Sequence, residues 1–344
     1  MSRRLQGALL LAFVLSGFSG LVFEVVWVRV ATLVLGVTIQ GVSIILAAFM
    51  GGLALGSWLS SRLGQVSPYA YSAVEGLVAA TGLGVTLFLQ HLAGVRLPTS
   101  VEMLAIVAGT VLPTTLMGAT LPLLVRVVAQ FGGSASWVGA LYGTNTLGAV
   151  VGAFLTDFLL VPHLGISHSA LLAALCNLTA AALGFTLRTG TVVEAPVSRP
   201  APDRDLLTLV VAYALCGFAG LGLQIAWTRL LMMFSPSTAY IFSTILTVFL
   251  AGLAVGSALA ARPAARSTDP APVFLMLTSA LAALSLSTIF LLHPLQAGLQ
   301  KPWFASVFGS SGSELLVAQC LVRSLALFGM PTMLMGAAFP YACR

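Results

Sequence analysis

Three acidic residues lie inside apolar stretches of this sequence: Glu24, Glu75 and Asp157. A carboxylate in a membrane span costs several kcal/mol and is a functional candidate by default. Such an acid suits proton coupling or the binding of a cation, and three of them favour a cationic over an anionic ligand. Glu24 has the most informative surroundings, Gly17-Phe18-Ser19-Gly20-Leu21-Val22-Phe23-Glu24-Val25-Val26-Trp27-Val28-Arg29. On a helix Gly17, Gly20, Glu24 and Trp27 share one face, and small residues there let a neighbouring helix approach closely. Glu24 is therefore expected to point into a bundle. The competing reading is a structural acid paired with Arg29 or Arg323, although Arg29 is also placed to snorkel to the outer interface.

Glu75 falls in the third apolar span and is expected to line a polar cavity. Asp157, near the outer end of the fifth, reads more readily as an interface residue facing water. In that fifth span Gly139-x-x-x-Gly143 and Gly148-x-x-x-Gly152 are close-packing motifs. Between them Asn145 either contacts a ligand or holds a neighbouring helix, the second being favoured.

The Glu24 stretch returns 200 residues later as Gly217-Phe218-Ala219-Gly220-Leu221-Gly222-Leu223-Gln224-Ile225-Ala226-Trp227-Thr228-Arg229. Gln224 stands at the charged position, keeping hydrogen bonding but not charge. The substrate-binding candidates are thus Glu24, Glu75, Asn145 and Gln224, with Gly17, Gly20 and Trp27 as structural residues. Pro113, Gly118 and Pro122 form a further signal that returns as Pro331, Gly336 and Pro340. Each proline removes a helical hydrogen bond. Interrupted helices in corresponding places of two halves point to a transporter site, whereas a plain packing kink is the alternative.

His91, His163, His168 and His293 fall at outer span ends or loops. The sequence contains no nucleotide loop, no Ser–His–Asp set and no HExxH, so no catalytic residue, metal site or cofactor is expected. Cys176, Cys216, Cys320 and Cys343 lie in apolar stretches without metal spacing and read as small core residues.

These residues must be positioned by membrane helices. The chain of 344 residues is 59% hydrophobic and 7% charged, against about 25% charged in soluble domains, and its mean hydropathy is +1.05. Ten apolar spans are expected, at 7–30, 37–61, 69–91, 101–125, 136–160, 167–187, 206–232, 238–261, 271–292 and 315–342. The apolar run after Met1-Ser2-Arg3-Arg4 is longer than a signal segment, and its near-copy lies mid-chain. The net charge of +6 comes from fourteen Arg and one Lys against nine acids. It reads as cytoplasmic loop charge that sets topology, not as a nucleic-acid surface. That bias places the N-terminus in the cytoplasm.

Residues 188–205, rich in Pro and charge, are expected to form a cytoplasmic linker. It separates a six-helix repeat, 1–187, from a second repeat, 206–344, of four helices. The blocks from Thr38 to Arg62 and Thr238 to Arg262 match at the offset of 200, and those from Pro113 to Arg126 and Pro331 to Arg344 at an offset of 218. The repeats run parallel, related by an axis along the membrane normal. By this logic the second repeat lacks its fifth and sixth helices, and a fragment of a longer protein is expected.

Ser16-Gly17-Phe18 with Glu24 to Arg29, Gly52-Leu53-Ala54-Leu55-Gly56-Ser57, Leu116 to Pro122 and Leu141 to Ala149 together resemble the membrane portion of the fused major-facilitator/spermidine-synthase-like proteins. The loop Gly56-Ser57-Trp58-Leu59-Ser60-Ser61-Arg62-Leu63-Gly64 looks like a degraded major-facilitator loop motif, with Ser61 in place of its acid. The resemblance implies an all-α polytopic fold in a bacterial inner membrane, with a polyamine or similar small cation as ligand. It also implies a synthase domain, in cis or in trans, whose catalytic residues are not in this chain. Two functions follow as expectations: a transporter-like domain for a small cation, or a membrane anchor for an aminopropyltransferase.

Overall fold

A computed structural model describes residues 3–36, 38–63, 67, 69–130, 135–185, 204–233, 240–299 and 313–342. Of the expected linker, 188–203 lie outside the described residues, as do Cys343 and Arg344. The described residues are helical and contain no strand. They fall into two compact units, Met1–Ser198 and Arg199–Arg344.

The first unit contains α1 (Arg3–Leu35), α2 (Thr38–Arg62), α3 (Ala70–Leu92), α4 (Thr99–Gln130) and α5 (Ala135–Leu155). A short π-helix, Thr156–Leu160, leads into α6 (Val161–Gly184). These segments are apolar around most of their circumference, as helices with no water to serve their backbone must be. α1 closes on Gly36, whose φ of 65° is a left-handed stop that glycine adopts readily.

Among the described residues nine helices are long and apolar enough to cross a membrane, compatible with an integral membrane protein. The expectation of ten differs at one place. Gly139–Gly184 runs for 46 residues, a rise of about 69 Å at 1.5 Å per residue, against a bilayer core of about 30 Å. Gly165 breaks it with φ 77° and ψ 174°, and the chain reverses there. Before the break, Asn145 lies against Gly17 and Asp157 pairs with Arg29, so α5 runs parallel to α1. After it, Asn177 meets Ser19 and Ala180 joins the Leu9–Phe13 core, so α6 runs antiparallel to α1.

The closest helix approaches are made at glycine. A Cβ added to Gly52 would strike Thr114, one at Gly56 the Thr115 carbonyl, and one at Gly118 the Leu53 backbone. α2 and α4 are thereby seated backbone against backbone. α4 is unbroken through Pro113 and Pro122, which corrects the expectation of an interrupted helix. The Thr114 hydroxyl bonds the carbonyls of Thr110 (2.8 Å) and Val111 (3.0 Å) in the turn preceding Pro113, the kind of side-chain support that lets a membrane helix tolerate proline.

The second unit contains α7 (Arg204–Met232), α8 (Ile241–Arg266), α9 (Pro270–Leu299) and α10 (Ser313–Ala342). Here Gly252 meets Thr332, Gly256 meets the Met333 carbonyl, and Gly336 meets the Leu253 backbone. α10 likewise continues through Pro331 and Pro340, and Thr332 bonds the Phe328 and Gly329 carbonyls, both at 2.9 Å. Its core centres on Trp227, stacked on Phe328 with ring centroids 4.5 Å apart. Gly217 of α7 has no atom within 4 Å of an added Cβ, and Phe218 is 79% exposed.

Candidate functional site

Glu24 is held in the middle of α1 by packing on both sides. One turn earlier, Gly20 opens onto Met117 Sδ of α4, 3.8 Å from where a Cβ would stand. The Phe23 ring lies against Gly82 of α3 and stacks on Trp27 at 5.5 Å. Trp27 in turn donates from Nε1 to Thr86 Oγ1 at 3.0 Å and packs on Phe49 of α2 at 6.4 Å. Glu24 is fully buried among these elements. Neither carboxylate oxygen has a hydrogen-bond partner among the protein atoms.

The expected shared face of Gly17, Gly20, Glu24 and Trp27 does not meet a single helix. Gly17 meets α5, Gly20 meets α4, and Trp27 meets α3 and α2. α1 is the central helix of its unit, so even a narrow stripe on it spans several neighbours.

Glu75 is fully buried too, but at a different depth. Tyr71 on α3 and Ser16 on α1 lie beside its carboxylate. Ser16 precedes Glu24 by eight residues, about 12 Å along the axis. Glu24 and Glu75 therefore lie at different levels along α1. Asn145 presents its backbone carbonyl and Oδ1 to Gly17, so it sits at the α1–α5 crossing. Gln224, in the second unit, is buried, and its Nε2 has no partner among the protein atoms. It lies one turn after Gly220, which opens onto Met335 Sδ as Gly20 does onto Met117 Sδ.

Asp157 is buried, contrary to the expected water-facing interface residue, because it pairs with Arg29. That pair also answers the suggestion that Arg29 neutralises Glu24. Ser16, Ser19, Tyr71 and Asn177 were not singled out in the sequence. Their signal was present: each is a polar group in an otherwise apolar span, with Ser16/Ser19 and Tyr71/Glu75 at one-turn spacing. Among the described residues no group of three or more His, Cys, Asp and Glu is placed to hold a metal ion.

Over 192 residues, 52% of its length, the chain is 31% identical to the polyamine aminopropyltransferase of Mycobacterium tuberculosis. The chain is similar to polyamine aminopropyltransferases. The corresponding protein of Corynebacterium efficiens is 30% identical over 186 residues, 53% of this chain. Polyamine aminopropyltransferase 1 of Streptomyces coelicolor is 27% identical over 195 residues, 54% of this chain. The aligned stretch covers 35%, 35% and 36% of these relatives. The chain thus spans about a third of their length, and the relationship is spermidine-synthase-like over about half of the chain. No family model and no solved structure matches it.

Proposed function

We propose that this chain is a transporter-like membrane domain of a spermidine-synthase-like protein and that it binds or moves a small cationic metabolite such as a polyamine. The observation that carries this reading is Glu24: a fully buried carboxylate, on the central helix of its unit, with no protein partner for either oxygen. An organic ammonium group satisfies such an acid by charge and hydrogen bonding together. The names of the relatives favour a polyamine among small cations.

We read the two units as parallel, major-facilitator-like repeats in a bacterial inner membrane with a cytoplasmic N-terminus. The matching glycine contacts of α2 with α4 and of α8 with α10 support that reading, as does the basic bias of one set of loops. Gln224 then offers a neutral counterpart to Glu24, and Asn145 holds α5 against α1 at Gly17, about two turns away.

The test is uptake and equilibrium binding of labelled spermidine by the protein in proteoliposomes. Glu24→Gln is expected to weaken binding about tenfold or more, the effect of losing one charge-assisted contact. Unchanged uptake in that variant removes Glu24 from the site. A second reading, a membrane anchor for an aminopropyltransferase domain in cis or in trans, draws on the same relatives. It predicts no uptake by the wild-type protein, and synthase activity that becomes membrane-bound only in the presence of this chain.

A further inference from the structure

The second buried acid has surroundings of its own. The Tyr71 hydroxyl, one turn earlier on α3, acts on the Glu75 carboxylate as a hydrogen-bond donor of poor geometry, so neither Glu75 oxygen nor the Tyr71 hydroxyl is fully satisfied. Ser16, across the α1–α3 contact, also lies beside the carboxylate. Ser19 bonds the Ser16 carbonyl at 2.9 Å and Asn177 Oδ1 of α6, which leaves Asn177 Nδ2 buried without a partner. Ser72 Oγ, beside Gly184, is in the same condition. Among the described residues of the first unit, every buried side-chain polar atom without a partner belongs to this α1–α3–α6 junction, Glu24 excepted.

Buried polar groups are almost always paired; here Asn177 Nδ2 and Ser72 Oγ have no partner and the Glu75 carboxylate has only poorly aligned ones, which leaves oxygen lone pairs for a further occupant. The available atoms are hard oxygens: two from Glu75, one from Tyr71 and one from Ser16. Oxygen sets of this kind take alkali or alkaline-earth ions, whereas zinc and other softer metals want imidazole or thiolate. One carboxylate supplies a single negative charge, which balances a monovalent ion and leaves a divalent ion under-compensated.

We propose that Glu75, Tyr71 and Ser16 form a binding site for a monovalent metal cation such as Na+ at the α1–α3 contact, distinct from the Glu24 site. This inference does not rest on the polyamine reading, since a protein that moves no polyamine could still bind the ion.

The experiment uses the full chain in detergent and in proteoliposomes. Binding of radioactive Na+ is measured together with the melting temperature in NaCl against choline chloride of equal ionic strength. The wild type is expected to bind Na+ and to melt higher in NaCl. Glu75→Gln should abolish both effects, and Glu24→Gln should keep both. Tyr71→Phe and Ser16→Ala, which retain the carboxylate, should each weaken the apparent Na+ affinity several-fold, so the inference stays testable if Glu75→Gln does not fold. A wild type indifferent to Na+, as expected if Glu75 simply holds a proton, overturns it. So does Na+ binding that survives Glu75→Gln, or that is unmoved by both Tyr71→Phe and Ser16→Ala. Loss of spermidine uptake in Glu24→Gln with Na+ binding intact separates the two sites.

Discussion

Arg29 of α1 and Asp157 of the π-helix form an ion pair that ties the first helix of the unit to the end of the fifth. The two side chains are unequally buried, 26% exposed for Arg29 and 2% for Asp157. Removing the arginine takes the cation away from a buried carboxylate, whereas removing the acid leaves a cation that still reaches the surface. Arg29→Met is expected to lower stability by about 3 kcal/mol and Asp157→Asn by about 1 kcal/mol. Denaturant unfolding in mixed micelles measures both, and equal losses would contradict this asymmetry.

Gly17 and Gly217 occupy equivalent places in the two copies of the first motif but have opposite surroundings. A methyl group at Gly17 collides with the Asn145 carbonyl, and one at Gly217 meets nothing. Gly17→Ala is expected to cost about 1–3 kcal/mol through separation of α1 from α5. Gly217→Ala is expected to be neutral or to stabilise by up to about 1 kcal/mol through helix propensity. Thermal melts of the two variants side by side check the contrast.

Thr86 receives the indole N–H of Trp27 and donates its own proton to the Gly82 carbonyl at 3.0 Å. Thr86→Val leaves a buried N–H without an acceptor, at an expected cost of about 1–3 kcal/mol. Thr86→Ser keeps the hydroxyl and should lose less than half of that. Tryptophan emission provides a second readout, because Trp27 is fully buried.

Glu24 makes no bond to the protein, so its removal should not unfold it. Glu24→Gln is expected to leave the melting temperature unchanged or raise it, since an uncompensated buried carboxyl is a cost to folding. A loss of uptake in a variant that melts like the wild type assigns the effect to ligand. A fall of several degrees would instead mean that Glu24 has a structural partner.

The helices were legible because length and apolarity alone dictate them in a membrane. Glu24 stood out for the same reason, as a charge in a place that tolerates few. What the sequence could not give was rotation about α1, which decides whether Gly17, Gly20 and Trp27 meet one neighbour or several. The partner of Arg29 lies 128 residues away, a separation at which helical periodicity carries no information. Pro113 and Pro331 read as interruptions or as packing kinks, and α4 and α10 carry them through.

The glycine seats have a mechanical consequence. With Gly118 on the Leu53 backbone and Gly56 on the Thr115 carbonyl, no flexible side chains lie between the helices at these points to act as lubricant. Sliding α2 along α4 by one residue would drive a side chain into a slot sized for hydrogen. The same holds for α8 and α10. Each pair is a stiff two-ply beam, so any rocking of this domain must carry both plies together and bend at the seams around them.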